Sequence, residues 1–252
     1  MKDKVITTEQ ALRYSRQILL SGFDLDKQEV LINSRVLIIG VGGLGCAAAQ
    51  YLVAAGVGQL TLVDDDVVET TNLQRQILHF EENIGAKKVD SAVSTLSKIN
   101  HHVVLQAIDS RQTADELEQL IAEHDIVLDC SDNIDTRNTL NDVCYTTNIP
   151  LVSGAAIRME GQVFCVIPKL KSACYRCVSH FFGEQNLSCV ESGVMSPVVG
   201  IIGATQANEA IKILTDYGNA AINKLQVFDA MDSRWESFKV NPLRGCKACW
   251  PN

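Results

Sequence analysis

Apolar positions run through this chain in two alternating rhythms. Short runs of strand length recur at Val36–Ile39, Leu60–Val63, Val103–Ile108, Ile126–Cys130 and Leu151–Ala156. Gly40, Asp64 and Ser131–Asn133 punctuate their ends, and Pro150 leads into the last. That is the pattern of buried strands. Between them, apolar residues recur at helical spacing: an Ala-rich stretch from Gly43 to the breakers Gly56 and Gly58, then Gly85–Ile99 (through Val89, Ala92, Val93 and Leu96), Ala114–Ala122 and Asn133–Asn148. Strands alternating with helices predict a doubly wound, mainly parallel sheet. Ahead of it, residues 8–33 read as two helices joined at Ser21–Gly22. Leu12, Ile18 and Leu19 give the first an apolar side, and Arg13 and Arg16 share a face that on pattern alone is a solvated one. Beyond Ala156 the rhythm changes. Gly161–Ile167, Leu225–Phe228 and Trp235–Val240 read as strands, Val198–Leu214 as a well-buried helix, and Lys169–Ser196 as a long loop with few apolar anchors. This half is expected to continue the sheet with mixed or antiparallel strands. The expected organisation is one unit over 1–252, with helices in 1–34, a nucleotide-binding part in 35–156 and a mixed-strand part in 157–252.

Composition narrows the function classes. The 252 residues are 46% hydrophobic and 21% charged, enough for a sizeable core. The net charge of −8 argues against nucleic acid as the main partner, because neutralising phosphates needs a basic face. MKDKVITTEQ lacks the apolar core of a signal peptide, and no apolar run is long enough to span a bilayer, so the expected compartment is the cytoplasm. Nine cysteines are many for a reducing compartment, which calls for metal binding or thiol chemistry.

The glycine turn locates a nucleotide. Gly40, Gly42 and Gly45 form G-x-G-x-x-G between a strand and a helix, with Gly43 added. This is a Rossmann-like fingerprint, in which the glycines let phosphate approach the backbone at a helix N-terminus. Asp64 ends the next strand, where it can accept from a ribose hydroxyl. Asn72, Arg75, Lys88 and Asp132 also fall just beyond or near strand ends. Hydride transfer by an NAD-dependent oxidoreductase needs little of this set. Attack on the α-phosphate of a triphosphate does need it: cations (Arg75, Lys88) for the departing pyrophosphate and a carboxylate (Asp132) for Mg²⁺. Nucleotidyl transfer is therefore favoured over an oxidoreductase or a non-catalytic scaffold. Cys174-Tyr-Arg-Cys177 and Cys246-Lys-Ala-Cys249 are two C-x-x-C pairs, the pattern of a structural Zn²⁺ site more than of a thioredoxin-like redox pair. Cys46, Cys130, Cys144 and Cys165 fall in helices or strands and read as ordinary buried residues, and Cys189 as either an incidental loop thiol or a nucleophile.

Six segments together resemble the MoeB/ThiF/HesA family of the ubiquitin-activating superfamily over nearly the whole chain. They are Arg13-Tyr-Ser-Arg-Gln17, Gly40–Gly45, Asn72-Leu-Gln-Arg-Gln76, Asp129-Cys-Ser-Asp-Asn133 and the two cysteine pairs. The resemblance implies ATP-dependent adenylation of the C-terminal Gly-Gly carboxylate of a small ubiquitin-like sulfur carrier, with release of pyrophosphate. It implies an ATP site formed by Gly43, Asp64, Thr71, Asn72, Leu73, Gln74, Arg75, Lys88, Asp132 and Asn133. Arg75, Lys88 and Asp132 would be catalytic, with Arg16 reaching into the neighbouring subunit's site of a homodimer. It also implies Mg²⁺ with the ATP and structural zinc on Cys174, Cys177, Cys246 and Cys249. Within the family, Ser153–Gln162 and Cys189–Pro197 are more similar to the MoeB branch than to ThiF. The implied carrier is then the MoaD-type small subunit of molybdopterin synthase, in molybdenum cofactor biosynthesis, with the thiamin sulfur carrier as the alternative. The sequence stops three residues past the second cysteine pair, before any rhodanese domain, so sulfur is expected from a separate donor. Cys189 matches the cysteine loop of thioester-forming relatives but stays outside the core set.

Overall fold

A computed structural model describes residues 4–180 and 192–250. The N-terminal segment folds as three helices, α1 (Thr8–Arg13), α2 (Ser15–Ile18) and α3 (Asp24–Asn33). A capping box starts α1: the Thr7 hydroxyl accepts from the Gln10 N–H, and the Gln10 side chain accepts from the Thr7 N–H. The expected first helix is broken at Tyr14. Its buried ring lies over Gly56, where a Cβ would come within 2.3 Å of the ring carbon, and its hydroxyl accepts from Asn100 at 2.8 Å. The expected apolar side faces outward at Leu12 and Leu19, which are 73% and 74% exposed.

The strands are β1 (Arg35–Ile39), β2 (Gln59–Val63), β3 (Val104–Ile108), β4 (Ile126–Asp129), β5 (Leu151–Ile157), β6 (Glu160–Val166), β7 (Lys224–Asp229) and β8 (Arg234–Lys239). They form one eight-stranded sheet in the order β3-β2-β1-β4-β5-β6-β7-β8. β3 to β5 run parallel and β6 to β8 are antiparallel additions, as the change of rhythm after Ala156 predicts. The helices joining the parallel strands are α4 (Gly43–Ala55), α5 (Lys88–Ile99), α6 (Ala114–Ala122) and α7 (Ile134–Thr147). Alternation along β1 sends Val36 and Ile38 into the core shared with α4 and α5, and Leu37 and Ile39 into the core shared with α6 and α7. A central parallel strand is thus apolar on both faces. A twenty-residue helix, α9 (Ser196–Thr215), seals the first of these faces. It crosses α4 so closely at Gly203 that a Cβ there would stand 2.3 Å from the Leu44 carbonyl oxygen.

Two features locate the site. Strand order reverses between β1 and β4, and open α/β sheets bind ligands outside the strand ends at such a point. Ile39 pairs with both Val63 and Asp129, so Gly40, Asp64 and Cys130 leave the sheet side by side. The segment expected as a loop over Lys169–Ser196 carries a short helix, α8 (Tyr175–Ser179), whose Tyr175, Cys177 and Val178 are buried. Apolar anchors are therefore present after all. They escape a periodicity reading because they cluster around the cysteines. Cys189 lies outside the described residues.

Candidate active site

The glycine turn is held from both sides. Gly40 has a φ of +94°, and a Cβ there would sit 2.8 Å from the Cys130 carbonyl oxygen, so only glycine fits. The Asp64 carboxylate accepts from the Val41 N–H at 2.6 Å and from the Asp66 N–H at 3.0 Å. Opposite, His79 Nε2 lies 3.2 Å from the Val41 carbonyl and Nδ1 lies 2.9 Å from the Ser91 hydroxyl. A carbonyl only accepts, so Nε2 carries the proton and Nδ1 accepts from Ser91. Burial lowers the His79 pKa and keeps the ring neutral. Gly42 caps α4 without a side-chain hydrogen bond, and no acidic residue fills the first turn. The helix start is left open for an anion.

The two expected cations flank this turn. A Cβ on Gly43 would lie 3.4 Å from the Arg75 Cγ, so the arginine stem runs over the glycine, and Nη1 donates to the Thr71 carbonyl at 3.0 Å. Lys88, the first residue of α5, is buried, and its Nζ meets the exposed Asp66 carboxylate at 2.6 Å. That is the anion a lysine at a helix N-terminus needs. Lys87 instead pairs with Asp109 at 3.0 Å. Asn72 is buried and builds a one-turn 3₁₀ helix (Thr70–Asn72), its side-chain oxygen accepting from the Glu69 N–H at 3.0 Å. Thr71 and Gln74 are exposed on this connection and Leu73 is half-buried.

Asp132 is exposed in the loop after β4, and Asn133 caps α7 by accepting from the Thr136 N–H at 2.8 Å. Beneath it lies a buried layer that sequence reasoning missed. The fully buried Asp129 accepts from the Ser131 N–H at 3.1 Å and hydroxyl at 2.6 Å, and from the Ser153 hydroxyl at 2.7 Å. Arg137, also buried, lies 3.9 Å from Asp129, donates to the Ser131 carbonyl and sits over the Tyr175 ring, 5.9 Å from its centroid. Burial opposes the charge on Arg137, but Asp129 together with Tyr175, Cys130 and Asp132 outweighs it, and the pKa is raised. The only trace in the sequence is an acid at the last position of an otherwise apolar strand. Arg16 stands apart from this group, exposed on α2, which packs on α1 and α3.

The two cysteine pairs meet. Sγ separations are 3.9 Å for Cys174–Cys177, 3.6 Å for Cys174–Cys246 and 3.4 Å for Cys177–Cys249, with all four sulfurs within 4.8 Å. Four sulfurs about 2.3 Å from one tetrahedral ion would stand about 3.8 Å apart, so the set is able to hold a metal with little adjustment. Without a cation the thiols do not ionise together. A hydrogen bond from Cys174 lowers Cys177 to about 4, while the same bond raises Cys174 and burial pushes Cys249 up to about 12. A bound cation removes that conflict. Cys46, Cys130, Cys144 and Cys165 are buried as expected, and burial raises the pKa of each, to about 12 for Cys46.

The ThiF family model matches residues 14–248 of this chain. The chain belongs to the ThiF family. It is 51% identical over 244 residues to the molybdopterin-synthase adenylyltransferase of Escherichia coli (strain K12), covering 97% of this chain and 98% of that one. The Escherichia coli sulfur carrier protein ThiS adenylyltransferase is 43% identical over 238 residues, 94% of each chain. Among solved structures, E. coli MccB with AMPCPP and MccA superposes with a TM-score of 0.83 at 25% identity, over 94% of this chain and 74% of that one.

Proposed function

We propose that this chain uses ATP to adenylate the C-terminal Gly-Gly carboxylate of the small, ubiquitin-like subunit of molybdopterin synthase, releasing pyrophosphate. The observation that carries the reading is the Arg75 stem against Gly43 at the β1/β4 switch point, with Lys88 linked to the same turn through Asp66 and Asp64, in a chain half-identical to molybdopterin-synthase adenylyltransferases. ATP lies over the glycine turn with its phosphates at the α4 N-terminus and its ribose on Asp64, whose carboxylate already fixes that turn. The carrier's carboxylate is ionised at neutral pH and needs no general base. One of its oxygens bonds to the α-phosphorus as the bond from that phosphorus to the bridging oxygen breaks, and pyrophosphate leaves with the electron pair. Arg75 and Lys88 stabilise the departing charge, joined by the partner subunit's Arg16 in a homodimer. Asp132 would hold Mg²⁺, which supplies further neutralisation of the phosphates. The dimer is supported by the exposed apolar residues Leu12 and Leu19 on either side of Arg16. The four cysteines, by donor type and spacing, suit structural Zn²⁺ and fasten the C-terminal tail to α8.

Residues 1–252 act in this reading as one catalytic unit, supported by a sheet that runs unbroken from β3 to β8. A reaction in the cytoplasm is supported by the unpaired cysteines, which suit a reducing compartment, and in this reading sulfur comes from a separate donor. The second reading, the same chemistry on the thiamin sulfur carrier, rests on the 43% identity to the ThiS adenylyltransferase. ATP–pyrophosphate exchange with each purified carrier separates them. The molybdopterin-synthase subunit is expected to support exchange, and exchange with the thiazole carrier alone would reverse the assignment. Asp132→Ala is expected to abolish exchange without unfolding the protein. Normal exchange in that variant would remove Asp132 from the mechanism.

A further inference from the structure

A second cluster of metal-ligand types lies away from the glycine turn, where the N-terminal arm meets the connection between α5 and β3. Glu9 on α1 and the adjacent His101 and His102 bring a carboxylate oxygen and two imidazole nitrogens within 4.8 Å of one another. The Glu9 oxygen is 3.6 Å from His101 Nε2 and 3.4 Å from His102 Nε2. Charge-assisted N–H···O bonds are shorter, about 2.7–2.9 Å. The His102 spacing matches the edge of a tetrahedron whose nitrogen and oxygen donors stand about 2.0–2.1 Å from a zinc-sized ion, about 3.3–3.4 Å, and the 3.6 Å to His101 exceeds that edge by about 0.2 Å. His102 Nε2 is sealed from solvent yet has no hydrogen-bond partner. A buried nitrogen left in that state is a cost that a ligand bond would remove.

The frame around these donors is built by other contacts. Buried Asn100 donates to the Tyr14 hydroxyl and to the Val53 carbonyl, both at 2.8 Å, and its own side-chain oxygen accepts from the His102 N–H at 3.2 Å. Arg13, one turn beyond Glu9 on α1, donates to the Ile99 carbonyl at 3.0 Å. Arm and connection are therefore docked without help from Glu9 or the two rings, so the donors are preorganised. We propose that Glu9, His101 and His102 form a surface site for a divalent transition ion of the zinc or nickel type. The site is distinct from the four-cysteine cluster and leaves a fourth position to water. Two imidazoles and one carboxylate disfavour Mg²⁺ and Ca²⁺, which take oxygen ligands. Occupancy adds a further tie between α1 and the body of the chain, immediately ahead of the helix that carries Arg16.

The test titrates untagged, cysteine-site-loaded protein with Ni²⁺ by calorimetry, with the metal content of the cysteine site assayed before and after. The wild type is expected to bind one equivalent. Glu9→Gln and His101→Ala, both at exposed positions, should each weaken binding by at least about tenfold. Amide exchange in residues 8–18 should slow on adding Ni²⁺ to the wild type and not to His101→Ala. Absence of binding to the wild type, or equal affinity in the variants, overturns the site. Unchanged exchange on binding overturns the added tie.

Discussion

Asp129 and Asp132 lie three positions apart and do opposite work. Asp129 is buried against Arg137, so Asp129→Ala strands a buried cation and is expected to cost about 3–5 kcal/mol in urea unfolding. Asp132 is exposed, and its replacement should leave the unfolding midpoint nearly unchanged while exchange activity is lost. A large midpoint shift in Asp132→Ala would mean that the two residues share one structural role. The glycine turn offers a graded test. A methyl on Gly43 would lie 2.9 Å from the Val199 Cγ2, so Gly43→Ala is expected to push α9 and the glycine turn apart and raise the KM for ATP. The overpacking should cost about 1–3 kcal/mol. His79 and His124 add a pH dependence. Burial lowers both pKa values in the folded state. The unfolded chain therefore takes up protons first as pH falls through about 6.5, and stability drops from there towards the folded-state values. His124 bonds the Leu120 carbonyl at 2.7 Å and the Thr61 hydroxyl at 2.8 Å, away from the glycine turn. Melting temperature should decline between pH 7.5 and 5.5, and less steeply in His124→Gln. An unaltered slope would exclude His124 as a contributor.

At the scale of elements, the cysteine clip and the Asp132 loop are mechanically joined through α7. The two residues between Cys174 and Cys177 face that helix. The Tyr175 N–H donates to the Asn141 side chain at 2.7 Å, the Arg176 guanidinium grips Asp142 at 2.7 and 2.6 Å, and the Tyr175 ring lies under Arg137. Arg137 in turn holds the Ser131 carbonyl, one residue from Asp132. Removing the metal proposed for the cysteine cluster should therefore speed amide exchange in residues 131–142 as well as in the 241–249 tail, and lower the melting temperature. Exchange confined to the tail would show that α7 does not lean on the clip. The two C-x-x-C spacings announced the cluster in the sequence. Nothing in the spacing announced that its interior residues brace α7, because those contacts join residues 34 positions apart.

For the whole molecule, the exposed leucines on the N-terminal arm bear on assembly. Covering an exposed Leu12 or Leu19 contributes about 1.5–3 kcal/mol each. If the proposed dimer forms through this arm, Leu19→Glu is expected to give a monomer in sedimentation and to lose exchange activity, since the proposed cross-subunit Arg16 would no longer be supplied. Cross-complementation sharpens the test. In a two-fold dimer, mixing Arg16→Ala with Asp132→Ala leaves one intact site in each mixed dimer. Equal mixing should restore about a quarter of wild-type activity from two inactive proteins, since half of the dimers are mixed. No recovery after subunit exchange would confine Arg16 to its own chain.

The alternation of strands and helices, the glycine turn, the two cysteine pairs and the switch to antiparallel strands after Ala156 were legible in the sequence. Each is a short-range pattern: side-chain periodicity, glycine conformational freedom or ligand spacing acts over a few residues. Asp64, Arg75, Lys88 and Asp132 were legible as a set only because strand ends in such a sheet converge. The break at Tyr14, the docking of α8, the His79 clamp on Val41 and the Asp129–Arg137 layer were decided by tertiary structure. In each, a side chain is defined by a partner far along the chain: Tyr14 by Gly56 and Asn100, His79 by Val41, and Asp129 by Ser153. Local periodicity carries no record of such partners, and only the closed sheet brings them within hydrogen-bonding or van der Waals reach.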